Sequence, residues 1–406
     1  MNIILREWNH YQTLPLKSRL LMTSFALRSI ASPLLSLFIN SFIWRSTSSL
    51  PDVVIYNVGF FMFLPLGFYI NGLLLKKIKI AKLYLVGLIV SAVSIVVTVF
   101  FSGNSVWDFF AYGGVYGFGA GIYWANRNFL SFQEAKSQHR NYFYSIASLL
   151  NSLISLIVTF LVGWLIVLGE GGGLYTPTTA YWILSVFAMV VLIYSGVVVL
   201  KTDYATPKIN KIIQFHISPK WNKVRFISFA MGILEGIGFF LPTLLILFYL
   251  GEEGVLGTIS TIVTLFVVVI TYLYGRLAKH NHRKPVYFVS LSSYIIFSAL
   301  LLLLEHPLNI LIFVLFSGIT TIFQWLTIEP LLLDIMDDES NEGQDNQYMF
   351  VFDKELFLNI GRISSVLILF FIIQITSRET GLLVAPLAVG IFQLLLMVYI
   401  LRKSKF

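Results

Sequence analysis

No cysteine occurs among the 406 residues, which excludes disulfides, thiolate metal sites and cysteine nucleophiles and leaves the redox compartment open. Charge is scarce as well: Asp, Glu, Lys and Arg make up 12% of the chain against 57% hydrophobic residues, the reverse of the soluble balance of roughly a quarter charged. The six histidines, His10, His139, His216, His280, His282 and His306, all fall in stretches that read as loops. With no H-E-x-x-H pattern, a metal site in the interior is not expected. A phosphate-binding loop ending in Gly-Lys-Ser/Thr is missing, so ATP-driven transport by this chain alone is disfavoured, and no cofactor is expected. The net charge of +8 sits in short clusters between apolar runs rather than along one surface face, which argues against nucleic acid as a partner.

What the chain has instead is long apolar runs, read at 20–44, 50–75, 83–102, 106–132, 142–168, 178–200, 225–250, 256–278, 286–304, 308–333, 350–375 and 381–401. Each is long enough to cross ~30 Å of hydrocarbon at ~1.5 Å per residue, and a helix satisfies its own backbone groups in lipid. The first run is too long for a signal-peptide core and follows the polar segment 6–19, so it reads as a retained span. An all-α integral membrane protein with twelve transmembrane helices is expected.

Alternating loops differ sharply in Lys and Arg content. One side holds Arg6, Lys17, Arg19, Lys76, Lys77, Lys79, Lys82, Lys136, Arg140, the central segment, the cluster from Arg276 to Lys284, and Arg402, Lys403 and Lys405; the other holds Arg45 and Arg378. The positive-inside rule then places both termini and the central loop in the cytoplasm. The longest outer loop, 169–178, is a turn-forming stretch built on Glu170, three consecutive glycines and Pro177. At midchain, 201–223 reads as a basic cytoplasmic linker carrying Lys201, Lys208, Lys211, Lys220 and Lys223, suited to anchoring on anionic lipid or to binding a partner. An acidic loop, 337–345, shares its face. Residues 1–200 and 224–406 are thus expected to form two six-helix bundles.

Several features repeat between the two halves. Ser24-Phe25-Ala26-Leu27 recurs as Ser228-Phe229-Ala230-Met231 at an offset of 204, Gly72 recurs as Gly275 at 203, and Trp124 as Trp325 at 201. Near-constant offsets at equivalent topological positions mark a duplicated bundle. With these residues the chain resembles the major facilitator superfamily over its whole length. Gly275-Arg276-Leu277-Ala278-Lys279-His280-Asn281-His282-Arg283-Lys284 is similar to that superfamily's G-x-L-A-D-x-x-G-R-K loop, with Lys279 at the acidic position and His282 at the second glycine. The resemblance implies a gating loop whose positions are Gly72, Gly275, Arg283 and Lys284. Gly117-Phe118-Gly119-Ala120-Gly121 is similar to the glycine end of the family's R-x-x-Q-G-x-G motif, and Gly113, Gly117 and Gly121 form one small-residue stripe for a close helix neighbour. The G-x-x-x-G-P pattern of drug antiporters is absent from the fifth span, which reads Asn151-Ser152-Leu153-Ile154-Ser155-Leu156.

Ionisable side chains at bilayer depth cost several kcal/mol on insertion scales of roughly +2.5 to +3.5, so they mark partners or wet cavities. Arg28, Glu235 and Arg362 fall near the midplane; Arg127 and Glu329 lie toward the cytoplasmic third. Glu355, Asn359 and Arg362 share one helix face at i, i+4, i+7. Substrate contacts are therefore expected from Arg28, Glu235, Arg362, Trp124, Arg127, Glu329 and Asn359, and proton coupling from Glu235 and Glu355. Cationic residues outnumber acids at the midplane, which points to a small anionic or zwitterionic substrate. The expectation is a monomeric secondary transporter working by alternating access in the bacterial cytoplasmic membrane, with protons as coupling ion. A flippase or exporter of lipid-linked substrates on the same fold, and a membrane-embedded lipid-modifying enzyme, are the rival readings; the two-fold repeat and the lack of a catalytic constellation weigh against the enzyme.

Overall fold

The computed structural model describes residues 11–101, 103, 105–134, 140–207, 209, 211–213, 218–277, 283–303, 306–340 and 347–402, and every regular element among them is helical. The helices are α1 (Leu16–Thr47), α2 (Leu50–Leu74), α3 (Ile80–Phe101), α4 (Val106–Glu134), α5 (Arg140–Gly171), α6 (Pro177–Leu200), α7 (Pro219–Tyr249), α8 (Glu253–Leu277), α9 (Arg283–Leu303), α10 (Pro307–Ser340), α11 (Gln347–Ile375) and α12 (Arg378–Arg402). Each of the twelve expected spans has its helix, and most, such as α1, α7 and α10, are extended at one or both ends by polar residues, because helical hydrogen bonding continues past the hydrocarbon edge. The acidic stretch expected as a loop is accordingly helical as far as Ser340. At midchain α7 begins inside the stretch read as linker: Ser218 Oγ accepts the Trp221 N–H (3.0 Å) and Pro219 occupies the first turn.

Eleven of these helices are long and apolar enough to cross a membrane. The twelfth, α4, spans 29 residues but is diluted by its glycines and by Asn126, Arg127 and Asn128. Large apolar side chains such as Ile183, Val190, Val289 and Leu395 are exposed, a liability in water and the normal condition against lipid tails.

The two halves share breaks as well as sequence. In α1 the helix passes through a π-turn at Leu34–Phe38 after Pro33, and in α7 it breaks between Gly238 and Leu241. The offset of 204 carries the first break onto the second.

Glycine sets how closely the helices approach. A Cβ added at Gly113, Gly117 or Gly121 of α4 would lie 1.9, 2.1 or 2.1 Å from the Tyr56, Phe60 or Leu64 carbonyl oxygen of α2, and one added at Gly59 or Gly67 of α2 would strike the Phe110 or Phe118 carbonyl in return. The stripe read from the sequence is thus one side of a two-sided zipper. In the second half, Gly232 and Gly236 of α7 meet the Leu358 and Arg362 carbonyls of α11, and Gly361 of α11 meets that of Phe229. Between halves, Gly163 of α5 lies against the Glu253 carbonyl and Gly257 of α8.

The central segment folds over the basic face of the first half. Tyr204 donates to the Lys17 carbonyl (2.9 Å), Gln133 donates to the Ala205 carbonyl (2.8 Å), Thr206 Oγ1 accepts the Ile80 N–H (3.2 Å), and Ile209 and Ile212 are buried. Lys79 pairs with Asp203 at 2.9 Å, and this hydrogen bond holds the Asp203 carboxyl below the usual carboxylate range. Lys208 lies outside the described residues.

Gly117→Ala forces α2 and α4 apart, and the expected loss is about 1–3 kcal/mol, read as a lower melting temperature of the purified protein. Gly171→Ala, where an added Cβ meets nothing within 4 Å, leaves the melting temperature unchanged.

Candidate functional site

In the second half the deep charges pair with one another. Arg362 of α11 donates to Glu235 Oε2 of α7 from Nε (3.0 Å) and Nη2 (2.7 Å), and from Nη1 to Asn359 Oδ1 (3.0 Å). The contact is possible because Gly232, Gly236 and Gly361 bring α7 and α11 together at this depth. About two turns earlier in α11, Lys354 bonds Glu329 Oε1 of α10 at 2.7 Å, while Glu329 Oε2 is buried without a hydrogen-bond partner among the described residues. Glu355 lies within the electrostatic reach of Lys354, Arg362, Glu235 and Glu329, leaving three carboxylates to two cations in this cluster. On the shared face of α11, Asn359 joins Arg362 through its side chain and also bonds the Glu355 carbonyl at 2.8 Å through Nδ2.

The first half is arranged differently. Arg28 of α1 lies over the rings of Tyr123 (4.4 Å) and Trp124 (5.2 Å) of α4, and Arg127 lies over Phe25 of α1 (4.6 Å) and Trp124 (4.6 Å). Among the described residues neither guanidinium has a carboxylate at salt-bridge distance. Two cations sharing one indole stand within about 10 Å of each other, a repulsion of about 2 kcal/mol at an effective dielectric constant of ~20. Each aromatic face returns roughly 0.5–2 kcal/mol.

A cavity of about 540 Å³ lies between the halves toward the face that carries the basic loops. Arg127, Asn128, Ser148 and Asn151 line it from α4 and α5, and Glu329, Met336 and Lys354 from α10 and α11, with Phe25, Phe143 and Trp221 among its apolar walls. Of the residues singled out in the sequence, Arg127 and Glu329 reach the cavity wall. Trp124 lies under Arg127, and Arg28 lies over the same indole. Glu235, Arg362 and Asn359 lie outside this lining, and Arg362 meets the first half over the Phe61 ring at 5.6 Å.

Opposite the basic face the halves are tied together by a carboxylate that sequence reasoning missed. Glu253, at the start of α8, is 1% exposed. Its Oε2 accepts from Arg45 Nη1 (2.6 Å), and its Oε1 from Tyr181 (3.1 Å) and Ser41 (3.3 Å). Arg45 also reaches Glu170 at 2.9 Å. In the sequence Glu252-Glu253 follows Gly251 between two spans and reads as a solvated loop; no local signal reveals its burial. At the basic face, Tyr348 of α11 inserts into the first half, donating to the Phe68 carbonyl (2.6 Å) and accepting from Asn71 (3.2 Å). Gly72 lies against Tyr348 and Ile212. Of the other gating-loop positions, Gly275 lies in the last turns of α8, Arg283 pairs with Asp334 at 3.3 Å, and Lys284 is exposed. Lys279, His280 and His282 lie outside the described residues.

Apolar helices in two related halves around a charged cavity are the architecture of a multi-pass membrane transporter. The sequence profile of the Major Facilitator Superfamily matches residues 20–366, and the chain belongs to that family; it is a transporter and not an enzyme. It is 26% identical over 381 residues, 91% of this chain and 85% of the relative, to "Uncharacterized protein YqgE" of Bacillus subtilis (strain 168). A shorter similarity, 27% over 139 residues, covers 34% of this chain and 65% of "Uncharacterized protein in sodM 3'region" of Geobacillus stearothermophilus. Among solved structures, the nucleoside transporter NupG superposes with a TM-score of 0.65 at 14% identity, covering 96% of this chain and 100% of that one. FucP, solved in the outward conformation, superposes with a TM-score of 0.61 at 12% identity, covering 96% and 99%. At these identities the two structures speak to the fold alone.

Removing Glu253 leaves Arg45 on Glu170 alone and takes the acceptor from the buried Tyr181 and Ser41 hydroxyls, an expected loss of about 1–3 kcal/mol of contact between the halves. Because the chain has no cysteine of its own, Ser41→Cys can be read cleanly with a membrane-impermeant maleimide. It is expected to be protected in the otherwise unaltered protein and to react at least tenfold faster once Glu253→Ala is added.

Proposed function

We propose that this chain is a proton-coupled secondary carrier for a small anionic or zwitterionic solute. It works by rocking residues 1–200 against 224–406, with the basic face and both termini in the cytoplasm of a bacterial cell. The observation that carries this reading is the one-sided cavity, lined by Arg127 from one half and by Glu329 and Lys354 from the other, with the far side shut by Glu253 and Arg45. A cavity reachable from one face and walled by both halves suits alternating access. The relatives in Bacillus and Geobacillus support a bacterial cytoplasmic membrane. NupG is named for nucleosides, which carry no charge, whereas arginines without a carboxylate partner favour a charged solute here.

For the coupling, Glu235 and Glu355 are the proposed carriers. Glu235 is held by Arg362 and Glu355 is the carboxylate in excess within the same cluster. A proton taken up there would release Arg362 from Glu235 and alter the α7–α11 contact between transport states. Once a stabilisation screen of carboxylates, amino acids and nucleosides has identified a solute, its uptake is measured in proteoliposomes under an imposed pH gradient. Glu235→Gln and Glu355→Gln are each expected to reduce gradient-driven accumulation at least tenfold while solute exchange continues. Full gradient dependence in both variants would reject this cluster as the coupling site.

A further inference from the structure

We infer that the aromatic and arginine cluster of the first half, Arg28 and Arg127 about Trp124, receives the anionic group of the substrate, and that the substrate is an organic anion with an apolar, ring-sized body. This deepens the transporter reading above and rests on it.

Charge pairing among the deep residues is uneven. Arg362 and Lys354 have Glu235 and Glu329 at 2.7 Å each, so neither presents an open charge to a ligand. Arg28 and Arg127 rest on ring faces alone among their described ionic and aromatic contacts. A ring face balances part of a guanidinium charge, yet its N–H donors lie in the guanidinium plane and need acceptors of their own. A carboxylate or phosphate supplies two or three oxygens in matching geometry and also relieves the repulsion between two cations on one indole. Arg127 and Phe25 form part of the cavity wall, so such a group can reach them from the cavity.

The rest of the wall describes the remainder of the ligand. Beside the polar Asn128, Ser148 and Asn151, the apolar Phe129, Phe143, Trp221, Leu332 and Met336 line the same space of about 540 Å³, within the range of pockets that enclose a small organic molecule. A zwitterion would need a carboxylate for its ammonium group. Glu329, the acid in this lining, has one oxygen on Lys354 and the other buried away from the cavity surface. A monoanion therefore fits the charge available better than a zwitterion or an uncharged solute.

The test uses the full-length purified protein in neutral detergent, with binding read by thermal shift and calorimetry. The probes are benzoate and phenyl phosphate, their neutral counterpart benzamide, and zwitterionic phenylalanine. Benzoate or phenyl phosphate is expected to raise the melting temperature in a dose-dependent way, with benzamide and phenylalanine without effect. The apparent affinity should fall at least tenfold in Arg127→Gln and in Arg28→Gln. Arg127→Lys, which retains the charge, should keep part of the binding and shows that loss in the Gln variant is not misfolding. Binding of benzamide or phenylalanine as tight as that of benzoate would overturn the inference, as would undiminished benzoate binding in both Gln variants.

A parallel arm compares nanodiscs of phosphatidylcholine with and without phosphatidylglycerol. Stabilisation by phosphatidylglycerol that requires Arg127, with no response to the soluble anions, would overturn the soluble assignment and place a lipid headgroup in the site. The two proposals fail separately. Arg127-dependent benzoate binding without flux in vesicles rejects the carrier reading alone, whereas gradient-driven flux of another solute that is indifferent to Arg127→Gln rejects this site alone.

Discussion

A polypeptide backbone in hydrocarbon has only itself to bond with, and the organisation of this molecule follows from that. Each span is helical because a helix closes its own hydrogen bonds. Once the bonds are internal, neighbouring helices gain nothing from hydrophobic exclusion and associate through close packing and the few polar groups they carry. The reciprocal glycines of α2 and α4, and of α7 and α11, provide the first of these: carbonyl oxygens sit where side chains would otherwise stand. The buried amides provide the second. Asn57 bonds Asn40 at 2.8 Å and Asn126 bonds Asn71 at 2.7 Å, each joining two helices of the first half.

The same low dielectric governs the charges, and the two halves answer it differently. In the second half Arg362 and Lys354 pair with Glu235 and Glu329 across α7, α10 and α11, with Glu355 in excess, and Asp353 binds Trp221 (2.7 Å) and Arg225 (2.6 Å) near the basic face. In the first half Arg28 and Arg127 are held by aromatic faces, with no carboxylate at salt-bridge distance among the described residues. The two halves, which share helix breaks at corresponding positions, thus divide the chemistry between them. Contact between the bundles is likewise graded along the membrane normal. Glu253 and Arg45 shut one face, α2 and α11 touch through Phe61, Arg362 and Tyr348, and the space left lies toward the other face between α4 and α5 on one side and α10 and α11 on the other.

Much of this architecture could be read along the chain. Apolar runs mark the spans, with α4 the most diluted of them, and the recurrences at Ser24 and Ser228, Gly72 and Gly275, and Trp124 and Trp325 relate the halves. The stripe Gly113, Gly117, Gly121 identifies a helix contact by its period. Such features are local, because the length of a span, the period of a helix and the spacing of a repeat are all written in neighbouring residues. The i, i+4, i+7 ladder of Glu355, Asn359 and Arg362 is legible for the same reason.

Partnership between distant helices is not written locally. Sequence placed Arg28, Glu235 and Arg362 at similar depth, and depth carries no information about rotation around a helix axis or about which helix lies opposite. Only the tertiary structure decided that Arg362 faces Glu235, that Arg28 and Arg127 share Trp124, and that Glu253, beside a glycine in an apparent loop, is a buried tie between the halves. The twelve helices and their duplication therefore belong to the sequence by itself. The pairing of their charges, and with it the position of the cavity, came from packing, since an ion pair across a bundle depends on the register and rotation of two helices that meet only in the folded chain.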